Sequence, residues 1–407
     1  MSGGLVIVGG SYAAAQIAAS ARQGGWQDPI TILSEEADAP YQRPPLSKRY
    51  LTEDLAETTL ALRSPAFYRD NAIALELGVR VASIDRSRKL AIAETGAIWP
   101  YERLALATGA RPRELPVEGA RLGGVVMLRT LADARSLKGS LATTQSVVVI
   151  GGGFIGLEAA ASCASLGKRV TVVEAQPRLM GRALLPGMAQ WFADLHRRNG
   201  VRLALGATVK AIQGDQGKVK SVLLGSGEVL EADVVLVGIG VQPNEELARD
   251  AGLECADGIV VDRFARTSDP AIVAAGDCTR HPSPWADAPV RLESVQNAQD
   301  QARIAAATLT GKELPYDAVP WFWSDQYDAK LQMAGLCATQ DEEVVRGSQE
   351  EGKFSVYYLR AGRLVAVHSI NRPADHMLAR KLIAARVEPD VERLADPGFD
   401  LKTLLPA

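Results

Sequence analysis

The sequence predicts an α/β protein: two domains of alternating strands and helices, then a small α+β domain at the C-terminal end. Three observations predict it. A block of apolar strand, glycine turn, small-residue helix and second strand at residues 5–35 recurs at 147–174. Two more apolar strands, "LALATGARPR" (104–113) and "DPAIVAAGDCTR" (269–280), run into glycine turns. Beyond residue 318 the pattern changes to short strands (Val344–Val345, Phe354–Leu359, Leu364–Ile370), turns at Gly352 and Gly362, and a helical stretch near His376–Ala385. A chain of 407 residues also exceeds one ordinary core, so two or three domains are expected.

Composition narrows the class. With 47% hydrophobic and 23% charged residues and a net charge of −3, the chain reads as a soluble globular protein with no global basic field to recruit nucleic acid. No apolar run is long and charge-free enough to span a bilayer. The first strand, Leu5-Val6-Ile7-Val8, starts so near Met1 that no signal or transit peptide is expected, and the expected location is cytoplasmic. Cys163, Cys255, Cys278 and Cys337 form no C-x-x-C pair, and His196, His281, His368 and His376 are isolated, so neither residue type offers a metal-like spacing.

The repeated block is the dinucleotide-binding βαβ unit, which makes both larger domains Rossmann-like. In "VVVIGGGFIGLEAAASCASLGKRVTVVE" (147–174) the fingerprint is complete. Gly151 permits the tight turn, Gly153 lets the backbone approach a pyrophosphate, and Gly156 lets helix and strand pack closely. The helix N-terminus offers free N–H groups and partial positive charge to the phosphates. Glu174 ends the second strand, where its carboxylate can accept hydrogen bonds from an adenosine ribose. An acid there repels a 2′-phosphate and favours NAD over NADP.

In the first copy, "LVIVGGSYAAAQIAASARQGGWQDPITILSE" (5–35), Gly9 is kept, Ser11 replaces the second glycine and Ala14 the third. Both are the smallest departures open to those positions, and Glu35 keeps a ribose role open. Two units imply two dinucleotides, and the simplest pair is FAD in the first and a nicotinamide in the second. Asp277, after Gly276, has a carboxylate able to accept from ribityl hydroxyls and a backbone N–H able to meet phosphate. Because "AAGDC" follows the second unit's "VLVGIGV" yet belongs with the first nucleotide, the expected FAD domain is discontinuous. Residues 1–113 and 245–317 form it, 114–244 form an NADH domain, and 318–407 form the C-terminal domain.

Together "VGGSYAAAQIA", "YQRPPLSKRYL", "ATGARPR", "VVVIGGGFIGLEAAA", "VLVGIGVQPNEELA", "AAGDC" and "RLESVQNAQDQA" resemble the two-dinucleotide-binding flavoprotein disulfide-reductase superfamily. Within it the chain looks like the bacterial ferredoxin reductases that serve cytochrome P450s and Rieske-type oxygenases. "VPWFWSDQYDAKLQMAG" carries the likeness into the last domain, and "RPPLSK" marks the branch. Ser11 departs from the family's usual glycine.

That resemblance implies site residues. Relatives that reduce disulfides or peroxide carry a reactive cysteine beside the flavin, where this chain offers Pro44, Pro45, Leu46, Ser47 and Lys48. It implies that Lys48 sits near the flavin N5 edge, paired with Glu158, and that Pro45 shapes the floor under the ring. FAD would further involve Arg43, Ala107, Thr108, Gly109, Gly276, Asp277, and Ser294 and Val295 at the start of a helix whose N–H groups stabilise charge at N1. Trp323 would approach the flavin, with Trp321 the weaker alternative. NADH would involve Ile155, Arg182, Gly238, Ile239 and Gly240 besides Gly151, Gly153, Gly156, Glu158 and Glu174. No metal is implied.

The implied reaction is hydride transfer from NADH to FAD, then single electrons to an acidic [2Fe–2S] ferredoxin that feeds an oxygenase, in a monomer or weak homodimer. Lys48, Arg49, Arg291, Lys330 and Arg372 are the expected bases of the ferredoxin-facing surface. Two other readings stand beside it: an NADH oxidase or rubredoxin reductase, and an apoptosis-inducing-factor-like NADH-binding redox module.

Overall fold

Strand Leu5–Val8 lies at the centre of a five-stranded parallel sheet, between Ile30–Ser34 and Arg103–Leu106, with Ile73–Leu77 and Ile272–Ala274 at the edges. The computed structural model describes residues 3–406, which divide into two units, the first comprising residues up to 42, 57–111 and 242–322. The central strand is apolar and buried at every position because both sheet faces are covered there. Leu5 and Ile7 face the helices Tyr12–Gln23 and Val295–Leu309, whose Ala14, Ala18, Ala302 and Ala305 are buried with them. Val6 and Val8 face the opposite way, toward Val81, Ile84 and Ala91 of a three-stranded antiparallel sheet. The period-2 geometry of a strand thus assigns one hydrophobic run to two cores.

The second unit, residues 43–56, 112–241 and 323–407, repeats the design. Its parallel sheet runs Arg202–Leu205, Arg169–Glu174, Ser146–Ile150, Val234–Val237, Val125–Met127. Helix Phe154–Ser165 covers one face, and Ile212, Val222 and Leu230 of an antiparallel sheet cover the other. Ahead of this sheet in sequence, Pro44–Ser47 form a 3₁₀ turn, where the proline rings sit at positions whose N–H groups have no helical partner. A short helix, Arg49–Thr52, follows.

The C-terminal segment forms a five-stranded antiparallel sheet in the order Trp321–Gln326, Ala329–Gly335, Arg363–Ile370, Lys353–Arg360, Glu342–Ser348, with helix Pro373–Ala384 packed on it. The α+β reading of this segment agrees with the fold, and Gly352 and Gly362 take the positive φ its turns need. The sequence reading gave too few strands. "WFWSDQ" and "AKLQMAG" form the first two strands, and their polar residues hid the alternation because Ser324 and Gln326 are buried. Among the described residues, no helix is long and apolar enough to cross a membrane.

Candidate functional site

The two glycine turns repeat one another bond for bond. Gly9 N–H donates to Leu33 O and Gly151 N–H to Val173 O, both at 2.8 Å; Ala107 N–H donates to Val8 O and Gly238 N–H to Ile150 O, again both at 2.8 Å. Gly9 and Gly151 have φ of +123° and +106°. A Cβ on Gly9 would lie 2.1 Å from Ala107 O, and one on Gly151 would lie 2.3 Å from Gly238 O. These glycines are therefore required by the fold itself. So is Gly156, whose Cβ would meet Gly151 O at 2.4 Å.

Gly153 differs. It caps helix Phe154–Ser165 in an extended conformation open to any residue, and a Cβ there would find no protein atom nearer than 4.0 Å. Nothing in the chain needs a glycine at this position; a ligand approaching the helix N-terminus does. This is the observation by which the second unit fits a dinucleotide. Ile155 is 46% exposed beside it, although it is a large aliphatic side chain on a helix buried from Gly156 to Cys163. Arg182 is exposed, and Gly240 takes φ +95°. Ile239 follows Gly238 on the turn that closes around Gly151. The residues named from the sequence for NADH all lie in the second unit.

Two features were missed. Gly152 N–H donates to Glu174 Oε2 at 2.6 Å, so the acid is joined to the glycine turn. In the first copy the same register puts Ser34 opposite the turn: a Cβ on Gly10 would meet Ser34 Oγ at 2.1 Å. Glu35 lies one residue further on, exposed and 3.9 Å from Arg80. The second glycine of each G-G pair was the legible signal, since it stands directly opposite the end of the second strand.

In the first unit, Ser11 caps helix Tyr12–Gln23 from the position of Gly153, and Ala14 is wholly buried at the position of Gly156. Thr108 and Gly109 are clamped by Asn244: Thr108 Oγ1 donates to Asn244 O at 2.7 Å, and Asn244 N–H donates to Gly109 O at 2.9 Å. Gly276, at φ +91°, donates its N–H to Gln301 Oε1 at 2.8 Å, which fixes the turn that presents Asp277. Ser294 spends its hydroxyl on the N–H of Asn297 as cap of helix Val295–Leu309.

The proline-rich stretch at residues 43–48 lies in the second unit. Arg43 donates to Arg129 O at 2.8 Å, and Pro45 O accepts the N–H of Lys48. Lys48 Nζ lies 2.7 Å from Glu158 Oε2, with the lysine side chain 16% exposed and the glutamate 2%. A carboxylate so buried needs its lone pairs filled. Ser47 Oγ donates to Oε2 at 2.6 Å and Ser324 Oγ donates to Oε1 at 2.7 Å. The arrangement is an oriented positive charge, not a nucleophile. The cysteine on the same helix, Cys163, is fully buried, and burial pushes its thiol up to about 12. Trp323 is half-buried on the strand that carries Ser324.

Of the expected partner-facing bases, Arg291 is not free: its side chain is 9% exposed and bonds both Asp257 and Glu293. Arg372 is likewise paired with Asp375 and Arg49 with Glu53, while Lys330 is exposed. A base that repairs a neighbouring carboxylate has little field left for a partner, which spacing along the chain did not reveal.

Residues 4–302 match the model of the pyridine nucleotide-disulphide oxidoreductase family, and 321–405 match a reductase C-terminal domain. The chain is 49% identical to rhodocoxin reductase of Rhodococcus erythropolis over 399 residues, covering 98% of this chain and 93% of that one. It superposes on the ferredoxin reductase for the CYP199A2 system of Rhodopseudomonas palustris with a TM-score of 0.95 at 44% identity, over 99% and 100% of the two chains. The covalent putidaredoxin reductase–putidaredoxin complex gives a TM-score of 0.95 at 40% identity, over 99% and 98%. The chain belongs to the pyridine nucleotide-disulphide oxidoreductase family, whose ferredoxin-reducing members use FAD and NAD(H).

Proposed function

We propose that this protein is an NADH-dependent ferredoxin reductase of an oxygenase system, and that the buried Lys48–Glu158 pair is its working charge. The pair is the observation that carries the reading, because it holds a fixed cation against the fingerprint helix, whose cysteine, Cys163, is buried and takes no part in it. FAD, when bound, supplies the conversion of a two-electron donor into single electrons. The chain's residues do the rest. Gly9, Ser11 and Ala14 form the phosphate turn of the FAD unit, with the turns at Ala107–Gly109 and Gly276–Asp277, Ser294 and Val295, and Glu35 as ribose acceptor. Gly151, Gly153 and Gly156 receive the NADH pyrophosphate, Glu174 accepts from its ribose, and Ile155, Arg182 and Gly238–Gly240 line its path. Lys48 holds positive charge where negative charge develops, and Glu158 keeps that ammonium oriented. Arg43, Pro45 and Trp323 complete the flavin side.

The division into an FAD domain at 1–113 and 245–317, an NADH domain at 114–244 and a C-terminal domain at 318–407 follows from these roles. The partner is an acidic [2Fe–2S] ferredoxin, the working form is a monomer or weak homodimer, and the compartment is the cytoplasm. The test is anaerobic. The yellow protein is mixed with NADH, and a [2Fe–2S] ferredoxin from the same organism is added. Flavin bleaching followed by catalytic ferredoxin reduction supports the reading; bleaching with no onward transfer to any such ferredoxin overturns it.

A further inference from the structure

The polar cluster behind Lys48 extends beyond the ion pair. From Trp323 onward, strand Trp321–Gln326 buries its alternate positions, Ser324 and Gln326, completely. Both are polar, and both are satisfied by one chain of contacts. Ser324 Oγ donates to Glu158 Oε1 at 2.7 Å, and Gln326 Nε2 donates to Ser324 Oγ at 3.2 Å. Gln326 Oε1 lies 2.8 Å from His196 Nε2, and His196 Nδ1 lies 3.2 Å from the Tyr327 hydroxyl.

Donor chemistry fixes the direction of every link. The single O–H of Ser324 is spent on the carboxylate, so Ser324 accepts from the Gln326 amide. The Gln326 oxygen only accepts, which assigns the His196 proton to Nε2. His196 Nδ1 is then an acceptor, and Tyr327 donates to it. Burial favours the neutral ring that this assignment requires. Four links therefore aim their donors at Glu158, from strand Trp321–Gln326, from Tyr327 just beyond it, and from helix Pro186–Arg198. The amide in the middle makes the chain a rigid support and not a proton wire.

We propose that Ser324, backed by Gln326 and His196, is a positioning residue for the reductase reaction: it fixes the Glu158 carboxylate, and through it the place of the Lys48 ammonium. The inference rests on the role assigned above to the Lys48–Glu158 pair. Lys48 has an alternative acceptor in Pro44 O at 3.2 Å. If Glu158 loses the donor on Oε1, its carboxylate turns to find another, and the ammonium shifts toward the carbonyl. Misplacement of this kind lowers the rate of transfer more than it weakens NADH binding.

The test uses the FAD-loaded enzyme in anaerobic stopped flow, with wild type, Ser324→Ala, Ser324→Thr, Gln326→Met and Lys48→Ala compared. Ser324→Ala should lower the bleaching rate constant at saturating NADH about tenfold, with less than about a twofold change in half-saturating NADH. Ser324→Thr, which keeps the hydroxyl, should restore the rate. Gln326→Met, one link further out, should slow it about threefold in the same way, and decides the matter if Ser324→Ala fails to retain FAD. Slow Lys48→Ala with Gln326→Met and any FAD-retaining Ser324→Ala at wild-type rate overturns the positioning role alone. A wild-type rate in Lys48→Ala overturns the role of the pair itself, and the relay with it.

Discussion

The Glu174 carboxylate accepts the N–H of Gly152 at 2.6 Å through one oxygen and the N–H of Gln176 at 2.7 Å through the other. It joins the end of the second strand to the phosphate turn. Its loss should therefore act on NADH in two ways, by removing a ribose acceptor and by loosening the turn. Glu174→Ala should raise the NADH KM by about 1–3 kcal/mol in binding terms, with flavin content unchanged. Glu174→Gln keeps one acceptor oxygen and should fall between. Steady-state kinetics across NADH concentrations checks both, and an unchanged KM in Glu174→Ala would remove the residue from the NADH site.

Two glycines of one fingerprint should respond oppositely to alanine. Gly153 is extended and its missing Cβ faces open space, so Gly153→Ala should fold with a near-normal melting temperature and show a raised NADH KM. Gly156→Ala drives a methyl to 2.4 Å from Gly151 O, so it should lower the melting temperature through a cost of about 1–3 kcal/mol of overpacking. Circular dichroism melts beside NADH titration separate the two; equal effects on stability would mean that Gly153 also serves packing.

Much of the parallel sheets was legible because apolar strands between glycine turns have few alternative arrangements. Leu5–Val8 and Ser146–Ile150 carry the same message twice. The pairing of Lys48 with Glu158 was reached through resemblance, since the two are 110 positions apart and no local pattern links them. Ser47 and Ser324, which complete the carboxylate's shell, gave no signal: a buried serine in a polar stretch reads as a surface residue. The register that gives Ser34 the position in the first copy that Glu174 holds in the second was hidden by a one-residue difference in where the acid falls. Arg291 failed as a surface base because its two carboxylate partners, Asp257 and Glu293, fix it in a buried position that charge counting does not see.

Charge reversal should sort the bases accordingly. Lys330 is exposed and Lys330→Glu should weaken ferredoxin reduction, more at low than at high salt, while NADH bleaching stays at the wild-type rate. Arg291→Glu should instead lower the melting temperature, because it gathers three carboxylates where one cation had neutralised two. Ferredoxin titrations at two ionic strengths, with thermal melts of both variants, check this. Normal, salt-independent ferredoxin reduction in Lys330→Glu would move the partner surface away from that strand.

Acid should destabilise both units through histidines that fold neutral. Burial pushes His281 down to about 4 and His368 down to about 3 from an ordinary 6.5. His281 is buried with neither ring nitrogen bonded, and His368 sits between Tyr358 OH at 3.1 Å and Cys337 Sγ at 3.8 Å. The unfolded chain takes up these protons below pH 6.5 and the folded chain does not, so stability present above 6.5 is lost as pH falls toward 4. Each histidine contributes a slope of about 1.4 kcal/mol per pH unit across that window. The melting temperature should thus drop steadily between pH 7 and 5. His281→Leu should flatten the dependence, because a leucine binds no proton in either state. An unchanged slope in His281→Leu would mean that the folded protein protonates His281 after all.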